Sequence, residues 1–236
     1  MAEDLSPPLT SRRVLGYWII SFVLAGAAST VVIALTGYSG SDSATVPSWV
    51  LGAGALSMWA VFLSILPSRL AKDSEKSLRS FFSWFCLRDV YVGIPLGIAS
   101  QLFLVNIVNW PLSQLFPDTF SFDEVSKRAE DLVNGAEGFG LFILFVVVVL
   151  GAPIVEEIVY RGSLQNSLVS TMGERRGVLV TAVIFAAIHL VPVEYPGLFV
   201  FALVLGIARQ KTGTLGLPII THLAFNATGL LLVMML

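Results

Sequence analysis

Long apolar runs, each near the twenty or so residues that a bilayer crossing needs, follow one another with short polar connections between them. They predict membrane-spanning helices near 14–36, 47–66, 90–110, 139–160, 177–191, 196–208 and 215–235. The sixth is short and shares a tight turn with the fifth, and the stretch from Leu150 to Leu168 either continues the fourth or forms a separate piece. The fold class that follows is all-α, a polytopic transmembrane bundle of about seven to eight helices. Three regions result: a tail at 1–13, N-terminal helices and connections at 14–138 that carry no recognised motif, and a C-terminal region at 139–236 where charged residues interrupt apolar runs.

The connections refine this picture. Arg12 and Arg13, then Arg69, Lys72, Lys76, Arg79 and Arg88, then Arg175 and Arg176, then Arg209 and Lys211 fall on alternate connections, which the positive-inside rule assigns to the cytoplasm. The N-terminus is therefore expected inside, and an odd number of crossings puts the C-terminus outside. The first apolar run is longer than the core of a cleavable signal, so it reads as a retained span. Phe81 to Leu87 is an aromatic stretch flanked by Arg79 and Arg88, suited to the headgroup zone. Ser121-Phe-Asp-Glu124 has the capping-box pattern that opens a helix, expected to rest on the outer surface before the fourth span.

Composition agrees with the pattern. The 236 residues are 56% hydrophobic and only 13% charged, with a mean hydropathy of +0.83. A net charge of −2 excludes the concentrated basic surface of a nucleic-acid binder, and the lipid bilayer is the expected environment. The single Cys86 forms no internal disulfide and no cysteine-based metal site.

Polar groups at membrane depth therefore require a reason. Ionised carboxylates there cost roughly 3 kcal/mol each on insertion scales, yet Glu156 and Glu157 sit side by side in an apolar run. Arg161 follows Glu157 at the helical spacing that lets a carboxylate and a guanidinium meet. Glu156 points about 100° away and has no such partner. The chain holds two histidines, His189 and His222, each inside an apolar segment. Phe185 shares the helical face of His189, and Asn226 that of His222. At a rise of about 1.5 Å per residue, three spans bring Glu156, His189 and His222 to comparable depth in the cytoplasmic half, with Pro153 bending the fourth span beside the glutamates. Gln101, Asn106 and Asn109 in the third span are explained by interhelical hydrogen bonds and are assigned no chemistry. Gly206, Gly213 and Gly216 mark places where helices approach closely.

Two chemistries suit this set. Glu156 can take a proton from a water that His189 orients, while His222 and Asn226 stabilise the oxyanion of a peptide carbonyl under attack. Alternatively Glu156, His189 and His222 form the two-histidine, one-carboxylate set of a catalytic Zn2+ site, with Glu157 as base; the HExxH helix of zinc peptidases is absent. Outside catalysis, the same groups could serve a silent membrane scaffold or regulator, or the relay of a proton-coupled transporter.

Glu156-Glu157-Ile-Val-Tyr-Arg161 forms an EExxxR pattern, Phe185 to His189 an FxxxH pattern, and His222 to Asn226 an HxxxN pattern. In this order, on separate spans, they resemble the three motifs of the CPBP family, the CAAX protease and bacteriocin-processing or abortive-infection family, which includes the type II CAAX prenyl endopeptidases. The similarity covers about Phe139 to Leu236. It implies a membrane-embedded endopeptidase opening toward the cytoplasm, with Glu156 as base, Glu157 paired with Arg161, and His189, His222 and Asn226 completing the site. Family members are described both as zinc enzymes and as glutamate-dependent proteases without a required metal. Their substrates are prenylated CAAX tails or bacteriocin precursors, so the implied partner is a peptide or protein entering from the membrane or the cytoplasmic side.

Overall fold

A computed structural model describes residues 10–40, 45–70 and 86–235. Residues 81–85 of the aromatic connection, the basic residues Lys72, Lys76 and Arg79, and residues 1–9 of the tail lie outside the described residues. The helices are α1 (Ser11–Leu35), α2 (Ser48–Leu70), α3 (Leu87–Leu115), α4 (Phe122–Asn134), α5 (Phe139–Met172), α6 (Glu174–Ala187), α7 (Tyr195–Thr212) and α8 (Gly216–Met234). A single helical turn, Pro117–Phe120, leads toward α4, and no strand occurs among the described residues.

Six helical stretches among the described residues have the length and hydropathy to cross a membrane: α1, Ser48–Leu66 within α2, α3, α5, Pro192–Thr212 and α8. The protein is a multi-pass integral membrane protein. Ile19, Ile20, Val23 and Leu24 on α1 and Phe103 and Ile107 on α3 point outward, as they do when lipid rather than water surrounds the bundle. The expected fifth crossing is α6, whose 14 residues reach about 21 Å at helical rise, short of the ~30 Å hydrocarbon core. The chain then turns back through Leu190, which takes a left-handed φ of 57°, and enters α7. The stretch after Leu150 continues the fourth span, giving α5 a length of 34 residues.

Local chemistry sets the ends of these helices. Ser121 Oγ accepts the Glu124 amide at 3.2 Å, the cap that its pattern predicts for α4. Gly213, at φ 69°, closes α7, while Arg209 and Lys211 complement the dipole of its last turn.

α5 is not uniformly α-helical. Val146–Gly151 and Glu157–Gln165 are π-helical and flank Ala152–Glu156. The Ala152 amide bonds to the Val147 carbonyl, five residues back. The next amide in that register belongs to Pro153, which has no N–H, so the Val148 carbonyl loses its main-chain donor. Proline thus leaves one unmet acceptor about two turns before the glutamates.

The core joins α1, α2, α5, α6 and α7 through Trp18, Phe62, Leu66, Tyr160, Leu164 and Phe185. α8 is held by α3, whose Gly93 and Gly97 form a small-residue pair at the spacing that lets membrane helices touch backbone to backbone. A Cβ on Gly97 would stand 2.7 Å from Ala224 Cβ and 2.9 Å from the Phe225 amide nitrogen, and closer still to the Thr221 carbonyl oxygen. These atoms bracket His222 on α8. Gly97→Val is therefore expected to destabilise the protein by about 1–3 kcal/mol through overpacking and to slow any reaction that uses His222. Gly16→Val, where a Cβ meets nothing within 4 Å, is the control; equal melting temperatures for the two variants would contradict the close α3–α8 contact.

Candidate active site

Glu157 and Arg161 are both fully buried, and the guanidinium Nη1 donates to Glu157 Oε1 at 3.0 Å, the pairing that their spacing predicts. Arg161 Nη2 also donates to the Ala202 carbonyl of α7 at 3.3 Å. One turn further along both helices, Gln165 Nε2 donates to the Gly206 carbonyl at 3.0 Å. α5 is thus fastened to α7 by two side chains. Gln165 is absent from the sequence-derived site, because a lone amide in an apolar run carries no signal of its partner; Gly206 is a point of close approach, as its lack of a side chain suggests.

Phe185 joins the motifs. The Arg161 guanidinium lies 4.4 Å above its ring centroid, a cation–π contact in a dry interior. The same ring meets Tyr160 edge-on at 5.2 Å, His189 at 5.2 Å and His222 at 5.9 Å. On its other side His222 packs edge-on against Phe201 at 5.3 Å. The imidazole of α8 is therefore clamped between aromatic rings from α6 and α7.

His222 Nδ1–H donates to Glu157 Oε1 at 2.9 Å. Glu157 Oε1 then receives two donors from two helices, Arg161 of α5 and His222 of α8, and fixes the imidazole so that Nε2 faces Glu156 Oε2 at 3.9 Å. The neighbouring carboxylates differ sharply in surroundings: the Glu157 side chain has no exposure, whereas that of Glu156 keeps 23%. The exposed part of Glu156 faces a cavity of about 410 Å³ that His189 and Asn226 also line.

His189 approaches from the end of α6. Its Nδ1–H donates to the Phe185 carbonyl at 2.8 Å, which in a neutral ring leaves Nε2 as an acceptor. Asn226 Nδ2 donates one hydrogen to the Val148 carbonyl at 2.8 Å. This is the acceptor that Pro153 left without a main-chain partner. Asn226 thus supports the π-helical turn that leads into Glu156, and one hydrogen on Nδ2 remains for another acceptor.

Among the described residues the α3 amides make no interhelical hydrogen bond. Asn106 Nδ2 bonds to the Leu102 carbonyl of its own helix, while Gln101 and Asn109 line the cavity. Ala129 and Leu132 of α4 and Glu194 before α7 are also in its walls, so it extends from Glu156 toward the connections poor in Lys and Arg.

Both histidines have Nδ1 engaged and Nε2 turned elsewhere, as metal-ligating histidines do. Among the described residues no three His, Cys, Asp or Glu side chains gather in a group able to hold a metal ion.

No curated protein and no solved structure matches the chain. A family does match: residues 138–228, from the start of α5 through the motif residues of α8, fit the family described as Type II CAAX prenyl endopeptidase Rce1-like. The match spans all six motif residues, Glu156, Glu157, Arg161, His189, His222 and Asn226. Over residues 138–228 the chain is thus similar to a family of CAAX prenyl endopeptidases.

Proposed function

We propose that the protein is an intramembrane endopeptidase that hydrolyses a peptide bond with water activated by Glu156, acting on a prenylated CAAX tail. The observation that carries this reading is the contrast between the adjacent glutamates. Glu157 is locked by Arg161 and His222, while Glu156 faces both His222 Nε2 at 3.9 Å and a cavity that holds His189.

In this mechanism His189 Nε2 accepts one hydrogen of the attacking water and Glu156 Oε2 takes the other as a proton. The water oxygen bonds to the scissile carbonyl carbon, and the C=O π pair moves onto the carbonyl oxygen. His222, with its Nδ1–H held by Glu157, donates in its imidazolium form from Nε2–H to the oxyanion, together with the remaining N–H of Asn226, as donors preset for developing charge. When the oxyanion collapses, the C–N bond breaks and the leaving nitrogen takes the proton from Glu156. These steps are written without a metal, a reading supported by the absence, among the described residues, of a group of three His, Cys, Asp or Glu side chains able to hold one.

The test uses purified protein in proteoliposomes with a short farnesylated peptide ending Cys-Val-Ile-Met. The expected result is release of the Val-Ile-Met tripeptide and, in heavy-oxygen water, one labelled oxygen in the new carboxylate of the farnesylated fragment. The rate is expected to survive chelator treatment. Intact peptide after prolonged incubation would refute the protease reading, and loss of activity restored by added zinc would refute the metal-free mechanism.

A further inference from the structure

Gln101 and Asn109 lie outside the family-matched region, yet both line the cavity that contains Glu156. They also line a second cavity, of about 350 Å³, which shares Val105, Ala129 and Gly229 with the first. The two cavities form one groove along a single face of α3, since residues 101, 105 and 109 recur at helical spacing.

Asn109 is 92% buried, and neither polar atom of its amide has a hydrogen-bond partner among the described residues. Oδ1 is sealed, so the remaining exposure of the amide is at Nδ2. Burying an amide unbonded is unfavourable enough that such groups ordinarily find a partner. Here glycines of the facing helices keep the amides open. A Cβ on Gly197 would stand 3.8 Å from Asn109 Nδ2, and one on Gly229 would stand 3.4 Å from Gln101 Nε2.

We infer that Gln101 and Asn109 form a main-chain-binding wall for the peptide substrate, with Asn109 Nδ2 donating to a backbone carbonyl of a chain laid extended along α3. This inference rests on the protease reading. A polypeptide fits because it offers carbonyl and N–H groups at regular intervals. The two amides, eight residues apart, are separated by about 12 Å of helix, which an extended peptide covers in about four residues. An apolar chain alone would leave both amides unbonded. The helix that the family domain lacks would thus hold the substrate, and the matched domain would cut it.

The test measures binding of a fluorescently labelled farnesylated peptide ending Cys-Val-Ile-Met to full-length protein in nanodiscs. The Glu156→Gln background prevents turnover. Asn109→Ala is expected to weaken binding about tenfold, the usual effect of one lost hydrogen bond, and Gln101→Ala to weaken it similarly. Asn109→Ala removes an amide that has no protein partner, so folding is spared, and a thermal melt checks this. A series of peptides with one carbonyl at a time replaced by thiocarbonyl then identifies the contact. One position weakens binding to the parent protein and costs nothing further in Asn109→Ala. Unchanged affinity in both alanine variants overturns the wall, as does a thiocarbonyl penalty equal in parent and variant, or no binding at all. If the wild-type chain cleaves the peptide while binding ignores Asn109 and Gln101, the wall fails and the protease stands. If it binds through them without cleaving, the protease reading fails instead.

Discussion

Glu156→Gln is expected to leave the protein folded and to reduce cleavage by about 100- to 10,000-fold, the range that a general base contributes. Glutamine keeps the shape and removes only the capacity to take a proton. The side chain is partly exposed to the cavity, and its contact with His222 Nε2 is a long one at 3.9 Å, so little folding energy depends on it. The informative comparison is Glu157→Gln, one residue along. That change removes the negative charge shared by Arg161 and His222 and leaves them a neutral amide oxygen, so it should lower stability as well as rate. Steady-state cleavage and thermal unfolding, measured on both variants in the same bilayer, separate a kinetic glutamate from a structural one. Wild-type turnover in Glu156→Gln would remove Glu156 from the mechanism.

Arg161→Ala is expected to destabilise the fold by about 3–5 kcal/mol, because it strands a carboxylate that has no exposure. The loss extends beyond the ion pair. The guanidinium also binds the Ala202 carbonyl and covers the Phe185 ring, so its removal loosens α5 from α7 and opens the space beneath both imidazoles. Replacing both partners together, Glu157→Gln with Arg161→Met, should cost less than Arg161→Ala alone, since no buried charge is then left unpaired. Chemical unfolding of the two proteins checks this; a double variant less stable than the single one would mean that the pair itself, rather than the stranded charge, carries the energy.

Much of this was legible in the residues. Apolar runs of bilayer length announced the helical bundle, and the spacing of Glu157 and Arg161 announced their contact, because both follow from the helical repeat. So did the shared face of Phe185 and His189. The rest depended on what crosses from one helix to another. Nothing in the chain near Glu157 shows that His222, sixty-five residues later, binds the same oxygen as Arg161. Asn226 illustrates the limit most clearly. Its spacing from His222 was readable, but its bond to Val148 follows from a π-helical register and a missing proline N–H, neither of which periodicity reveals. α6 is shorter than its apolar run suggests because the chain folds back at Leu190, a left-handed turn made by a residue that rarely adopts one.

The dependence of α5 on α8 bears on when the molecule becomes active. Before α8 docks, Glu157 has a single partner, the Val148 carbonyl has none, and His222 is missing from beside Glu156. A nascent or misthreaded copy therefore holds only fragments of the machinery. On the proposed function, proteolytic competence would be acquired only with completed insertion, which would spare the surrounding membrane from a half-built enzyme.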